Sequence, residues 1–299
     1  MAESKWPRGY CLPCLLFVSA LFANLTSWGQ SDSTGIDGSK LRRFTITTGA
    51  LYVAGVAGLN YVWYKDTERQ SFRFFNDNAE WKQMDKAGHF FSSFYLSALP
   101  SSALKRCGVP SRKADVYGAI AGFMLTIPIE VMDGFSDGYG ASPGDAIADA
   151  AGPLFFLGQQ LAWNEVRIFP KLSFHRTDFP QRNPQLLGDN LLSEIVKDYN
   201  GQTFWLSLDM DRFAAVPAWL NLAVGYGAEG MINARDSQNL ARGYDPYRQY
   251  FVGLDFDLTA IKTRSKLLRS VLSVVNTVRL PAPAFELSRK GSKFHLFYF

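Results

Sequence analysis

Three pairs of ionisable side chains stand at helical spacing inside segments that are otherwise apolar. Asp85 and His89 (MDKAGHFF) are four residues apart, Glu130 and Asp133 (IPIEVMDGFSDGYG) three, and Asp145 and Asp149 (SPGDAIADAAG) four, so the members of each pair share a helix face. Ionised groups on apolar helices cost free energy unless paired, which makes them functional suspects. Glu130 follows Pro128 within an apolar stretch, and Asp149 is flanked by Ala148, Ala150, Ala151 and Gly152, small enough for a second helix to approach. His89, Glu130 and Asp149 are therefore read as a catalytic cluster, with Asp85, Lys86, Asp133, Ser142 and Asp145 in support. In such a cluster a carboxylate orients the imidazole and raises its basicity, and the second ring nitrogen takes a proton from water or a substrate hydroxyl. The same three residues could hold a divalent metal, and the spacing does not choose between the two chemistries.

Plainer roles compete for several of these positions. Asp85 could cap its helix, and Ser142, Pro143 and Asp145 fit the N-cap, N1 and N3 positions of a capping box. Asp133 and Asp137 sit in a Gly-rich turn, and His89 could be a core histidine bonded to one carboxylate. Asp209, Asp211, Glu229, Asp255 and Asp257 read as a solvated polar face rather than a cation site, and His175 and His295 as incidental. The chain has no HExxH, no P-loop, no GxGxxG opening a helix and, beyond residue 29, no CxxC.

The elements that must position the cluster are apolar segments. Phe44 to Tyr64 runs without a charge, and Lys86 to Leu104, Asp115 to Met132 and Pro143 to Trp163 follow, giving an apolar four-helix bundle over residues 44–169. Lys105, Arg106, Arg112 and Lys113 would put the second connection in the cytoplasm if all four helices crossed a membrane. That orientation conflicts with an exported start, so packing at a membrane surface or in the periplasm is favoured. Pro170, Pro180 and Pro184 mark a connector over residues 170–190. Over residues 191–299 the period becomes two. Phe204, Leu206 and Leu208, then Leu220, Leu222 and Val224, then Tyr250, Val252 and Leu254 each alternate with small or polar residues. These predict an antiparallel β-meander of about five strands, with one covering amphipathic helix carrying Leu267, Leu268, Val271, Leu272 and Val275 on one face. The fold class expected is α+β. Five strands are too few for a membrane barrel of ~8, so the helix, the bundle or another subunit must cover the sheet.

Composition bounds the rest. The chain has 299 residues, 47% apolar, a net charge of +4 and three Cys, which excludes a disordered or disulfide-stapled protein. The charge is too mild, and too free of basic blocks with aromatics, for nucleic acid. Lys5 and Arg8 before the apolar run Tyr10 to Ala23 predict a signal peptide over residues 1–29, followed by a linker over residues 30–43. Cleavage after Gly29 leaves Cys107 as the sole thiol. An uncleaved N-terminus would make the inner membrane the alternative location. Lys293 to Phe299 (KFHLFYF) is an aromatic last strand of the kind that ends outer-membrane barrels.

Trp81-x-x-x-Asp85-Lys86-x-x-His89, Glu130-x-x-Asp133-Gly134-Phe135-Ser136 and Ser142-x-x-Asp145-x-x-x-Asp149-x-x-Gly152 resemble the YfiM-like predicted periplasmic lipoproteins. The likeness extends through Lys197-Asp198-Tyr199-Asn200-Gly201-Gln202 and Trp219 to Gly227. It implies an exported envelope protein and no particular activity. A looser likeness, over His89, Glu130 and Ser142 to Gly152, is to VanZ-like membrane proteins, which tend to carry Asn where this chain has Asp149. This chain also lacks a lipid-attachment cysteine. The expected function is a structural or docking role at the outer membrane or its periplasmic face, with a membrane or envelope-protein partner, or a second copy of the chain. The alternative is a membrane-associated enzyme acting on a lipid or cell-wall precursor through His89, Glu130 and Asp149.

Overall fold

The computed structural model describes residues 35–60, 68–137 and 140–299; the expected signal peptide lies outside them. Four long helices come first: α1 (Gly38–Leu59), α2 (Met84–Arg106), α3 (Ser111–Gly134) and α4 (Pro143–Trp163). Asp37 opens α1 by accepting from the Ser39 and Lys40 N–H groups, so the helix starts inside the segment read as linker. Ser142 is the N-cap of α4, its Oγ accepting from Asp145 N–H at 3.1 Å, and Pro143 fills the first turn as the capping pattern predicts. The chain divides into two compact units, one of the described residues up to Asp77 with His89–Glu165, the other of Asn78–Gly88 with Val166–Phe299.

The first unit is built on small residues. Ser93, Ser97 and Ser101 recur every four residues along α2 and meet Gly118 and Gly122 of α3 and Gly152 of α4. A Cβ on Gly122 would lie 2.0 Å from Ser97 Oγ, and one on Gly152 would lie 2.3 Å from Ser93 Oγ. The backbones approach as closely as helices do in membranes, where small-xxx-small patterns replace bulky cores. Phe94 and Phe156 are buried, but many of the larger apolar residues point the other way: Tyr117, Ile120, Met124, Ile147, Leu154 and Leu161 are exposed. By length and composition α3 is the one described helix able to cross a membrane.

The second unit is a six-stranded antiparallel sheet in sequence order: β1 (Ile168–Phe174), β2 (Gln202–Leu208), β3 (Leu220–Glu229), β4 (Tyr247–Phe256), β5 (Ala282–Ser288) and β6 (Gly291–Tyr298). Strand β1 occupies residues that the sequence assigns to the end of the bundle and the start of the connector; Pro170 is tolerated because β1 is an edge strand. Short helices α5 (Pro184–Leu187), α6 (Leu191–Lys197) and α7 (Asp236–Leu240) fill the loops, and α8 (Lys266–Val275) precedes β5.

The register fixes which residues share a face. One row runs Leu172, Phe204, Tyr226, Tyr250, Leu287; the next Pro170, Leu206, Val224, Val252, Phe285, Phe294; a third Ile168, Leu208, Leu222, Leu254. These rows hold no charge and, apart from Phe204 and Tyr226, which pack against Met84, they face outward: Val224, Tyr250, Val252, Leu254, Phe285, Leu287 and Phe294 are exposed. The inner face carries the polar set. Trp205, Phe251 and Tyr298 pack together with Ala223 and Ala284, while Lys171 and Asp255, 1% and 0% exposed, pair at 2.7 Å. Lys171 Nζ also donates to Asn276 Oδ1 and Phe256 O, and Ser207 Oγ donates to Asp255 at 2.6 Å. The Arg279 guanidinium lies 4.0 Å over the Trp205 ring and donates to the Leu254 and Tyr298 carbonyls, linking β4 to β6. The amphipathic helix is present as α8, but Leu267, Leu268, Val271 and Val275 are themselves exposed, so the outer face of the sheet remains open.

A strained turn introduces α2. Trp81, Lys82 and Gln83 have φ of 45, 54 and 64°, left-handed values that L residues rarely adopt in succession. Other parts of the second unit hold the turn: Trp81 N–H donates to Ala234 O at 2.7 Å, Tyr226 OH donates to Lys82 O, and Lys82 pairs with Asp236. Met84 then packs with Ala228 and Met231, flanked by Trp81, Tyr199, Phe204 and Tyr226.

Candidate functional site

Three helices bring His89, Glu130 and Asp149 together in the first unit. His89 lies on α2, Glu130 near the end of α3 and Asp149 in the second turn of α4, where the Ser142 cap fixes the helix register. Gly152, one turn beyond Asp149, lets α4 close on α2 so that the carboxylate reaches the ring. His89 Nδ1 and Asp149 Oδ1 are 3.0 Å apart, and His89 Nε2 lies 3.9 Å from Asp145 Oδ1. Glu130 Oε2 accepts from the Ser142 N–H at 3.1 Å, and Ser142 Oγ donates to Asp77 at 2.5 Å. One ligand atom from each of His89, Glu130 and Asp149 lies within 4.8 Å of the others.

Burial and charge pull on these groups in opposite directions. For His89, burial favours the neutral ring, but the hydrogen bond to Asp149 and the charges of Asp149, Asp145 and Glu130 outweigh it and raise the pKa to about 9. Glu130 rises to about 7, chiefly because burial penalises its charge. Asp145 and Asp133 add to the rise, while His89 and the Ser142 N–H oppose it. The arrangement can therefore hold an imidazolium against a carboxylate and keep a second carboxyl near neutrality. A proton donor and acceptor at one place are the requirement of acid–base chemistry.

The supporting residues divide. Ser142 and Asp145 belong to the same constellation, the first as helix cap and ligand of Glu130, the second beside His89. Asp133 lies in the last turn of α3 and acts on Glu130 through its charge. Asp85 and Lys86, in the segment that clusters with the second unit, pair with each other at 2.9 Å.

Of the strand acids, Asp255 is a buried partner of Lys171 rather than part of a solvated face, and Asp257 caps a short turn at Thr259. Glu229 accepts from Tyr247 OH at 2.5 Å, and His295 pairs with Glu286 at 2.8 Å. The Lys197 to Gln202 run is also structural: Asn200 bonds both the N–H and the C=O of Met231, and Tyr199 stacks near Trp81. Sequence reasoning missed a cleft of about 400 Å³ in the second unit, lined by His175, Arg176, Arg182, Glu229 and Tyr244 among others. Its residues come from the connector, the end of β3 and the loop before β4, with no shared spacing that could have announced it.

Residues 73–157 match a family described as predicted periplasmic lipoprotein (DUF2279). No curated protein and no solved structure matches the chain. The matched stretch contains His89, Glu130, Ser142, Asp145 and Asp149. The likeness therefore holds at the level of predicted periplasmic lipoproteins and carries neither the YfiM-like nor the VanZ-like name. It makes the chain an exported envelope protein, periplasmic or outer-membrane associated.

Proposed function

We propose that the chain is a docking protein of the cell envelope whose second unit seats on lipid at the outer membrane or its periplasmic face. The observation that carries this reading is the inverted sheet: ion pairs and hydroxyls inside, three charge-free rows outside. A sheet stable in water alone has the opposite arrangement, and an exposed apolar patch rimmed by polar residues marks a membrane or protein contact. Helix α8 adds a second apolar stripe in the same unit, beside Lys262, Arg264, Lys266 and Arg269, with no acidic residue between Asp257 and Glu286. An amphipathic helix with a basic polar face complements anionic headgroups. The aliphatic exterior of the first unit supports the same environment.

Flotation of the purified full-length chain with phosphatidylglycerol-containing vesicles tests the reading. The chain floats with the vesicles, and Val252→Lys with Phe285→Lys on the outer rows abolishes flotation while the folded state persists. Flotation unchanged by those charges would take the outer rows out of the contact, and a stable dimer that forms instead and is broken by them would make a second copy the partner.

The rival reading is an enzyme acting on a lipid or cell-wall precursor, and the meeting of His89, Glu130 and Asp149 favours it. There, His89→Ala and Glu130→Gln remove the cellular phenotype at normal abundance and normal membrane recovery. Under docking alone they act through stability only.

A further inference from the structure

We propose that His89, Glu130 and Asp149 form a binding site for one divalent transition-metal cation of the zinc or manganese kind. Their donor atoms already lie within 4.8 Å of one another. Two ligands each ~2.1 Å from a common ion stand at most ~4.2 Å apart, so convergence needs about half an ångström of closure, within side-chain relaxation.

A second observation points to the same ligand. Asp149 is 1% exposed and gives Oδ1 to His89, while its Oδ2 is buried with no hydrogen-bond partner among the described residues. Glu130 repeats the pattern, Oε2 taking the Ser142 N–H and Oε1 buried with no donor among the described residues. A carboxylate oxygen buried without a donor loses its hydration and gains nothing in return. A single cation between the two carboxylates satisfies both at once.

The donor set selects the class of ion. One imidazole nitrogen with two carboxylate oxygens suits zinc or manganese, whereas calcium and magnesium take oxygen ligands throughout. Three protein ligands leave a coordination position for water or a substrate oxygen, as in catalytic rather than closed structural sites. The donors stand on three helices locked by Ser–Gly contacts, which holds the site in place. This proposal concerns the first unit and does not depend on lipid docking by the second.

The test is titration of the chelator-treated, full-length chain with zinc chloride and with manganese chloride near neutral pH, read by calorimetry. In parallel, the imidazole nitrogens are followed by NMR, which is simple because the chain has only three His. The expected result is one zinc per chain with a shift of a single imidazole, the one lost in His89→Gln. Asp149→Asn and Glu130→Gln weaken zinc by at least tenfold, and magnesium binds more weakly than either transition ion. Should the variants fail to fold, the wild-type titration decides alone. No stoichiometric uptake at millimolar ion, or uptake that leaves the His89 signal in place, would overturn the site and make the cluster an internal His–Asp ion pair.

Discussion

Asp209 sits at the end of β2 with Asp211 and Asp257 near it and Arg212 as its counter-charge. Burial, then the hydrogen bond with Asp211 and the charges of both aspartates, lift its pKa from the usual 3.8 to about 6. The folded chain therefore holds a proton between those two values that the unfolded chain releases. Stability then falls as pH rises through that window, because the native state binds the extra proton. Asp209→Asn should raise the melting temperature near pH 7 and flatten its dependence between about pH 4 and 6. Thermal unfolding across that range checks both, and an unaltered slope would mean that other groups set the pH response. Glu130 and Asp149 illustrate the same cost at the candidate site, where each keeps one buried carboxylate oxygen with no donor among the described residues.

At the scale of elements, the sheet is held by charges where most sheets have aliphatic side chains. Lys171 and Asp255 are both sealed from water, with Asn276, Ser207 and a carbonyl adding further hydrogen bonds. Removing one partner strands the other, so Lys171→Met should cost about 3–5 kcal/mol. Lys171→Met with Asp255→Leu should recover most of that loss, as apolar replacement of a whole buried pair often does. Urea denaturation of the two variants reads the difference, and equal losses would show that the pair is not the source.

The same feature explains what the sequence could and could not reveal. Alternation in Leu222, Val224 and in Tyr250, Val252, Leu254 identified the strands and the residues sharing each face. It could not say which face would turn inward, because a period of two is symmetric. The deciding contacts, Lys171 with Asp255 and Arg279 with Trp205, join residues remote in the chain. Helix α4 was legible to its ends because Ser142, Pro143 and Asp145 write the cap locally. Strand β1 was not, since Pro170 and Lys171 break its pattern and its pairing with β2 is long-range. The meeting of His89, Glu130 and Asp149 was anticipated from polarity within apolar helices, while the cap-to-Glu130 bond needed the fold.

For the whole molecule, a net charge of +4 conceals a strong local asymmetry. Lys262, Arg264, Lys266 and Arg269 crowd one end of a stretch that carries no acid from residue 258 to residue 285, and the same stretch exposes Leu267, Leu268, Val271 and Val275 on α8. If the second unit seats on a bilayer, two separable contributions must hold it there: apolar rows that are indifferent to salt, and basic side chains that are not. Near an anionic surface each basic residue contributes about 1 kcal/mol, so Lys266→Gln with Arg269→Gln should weaken partition onto phosphatidylglycerol vesicles roughly thirtyfold. Raising salt to ~1 M, where the screening length falls to ~3 Å, should bring the wild type below the low-salt level of that variant, because Lys262 and Arg264 are screened as well. The outer-row variant should instead fail at every salt concentration. Vesicle sedimentation over a salt series separates the two contributions. Binding that ignores both salt and the two glutamines would leave the apolar rows alone as the contact, and anionic lipid would cease to be the preferred partner.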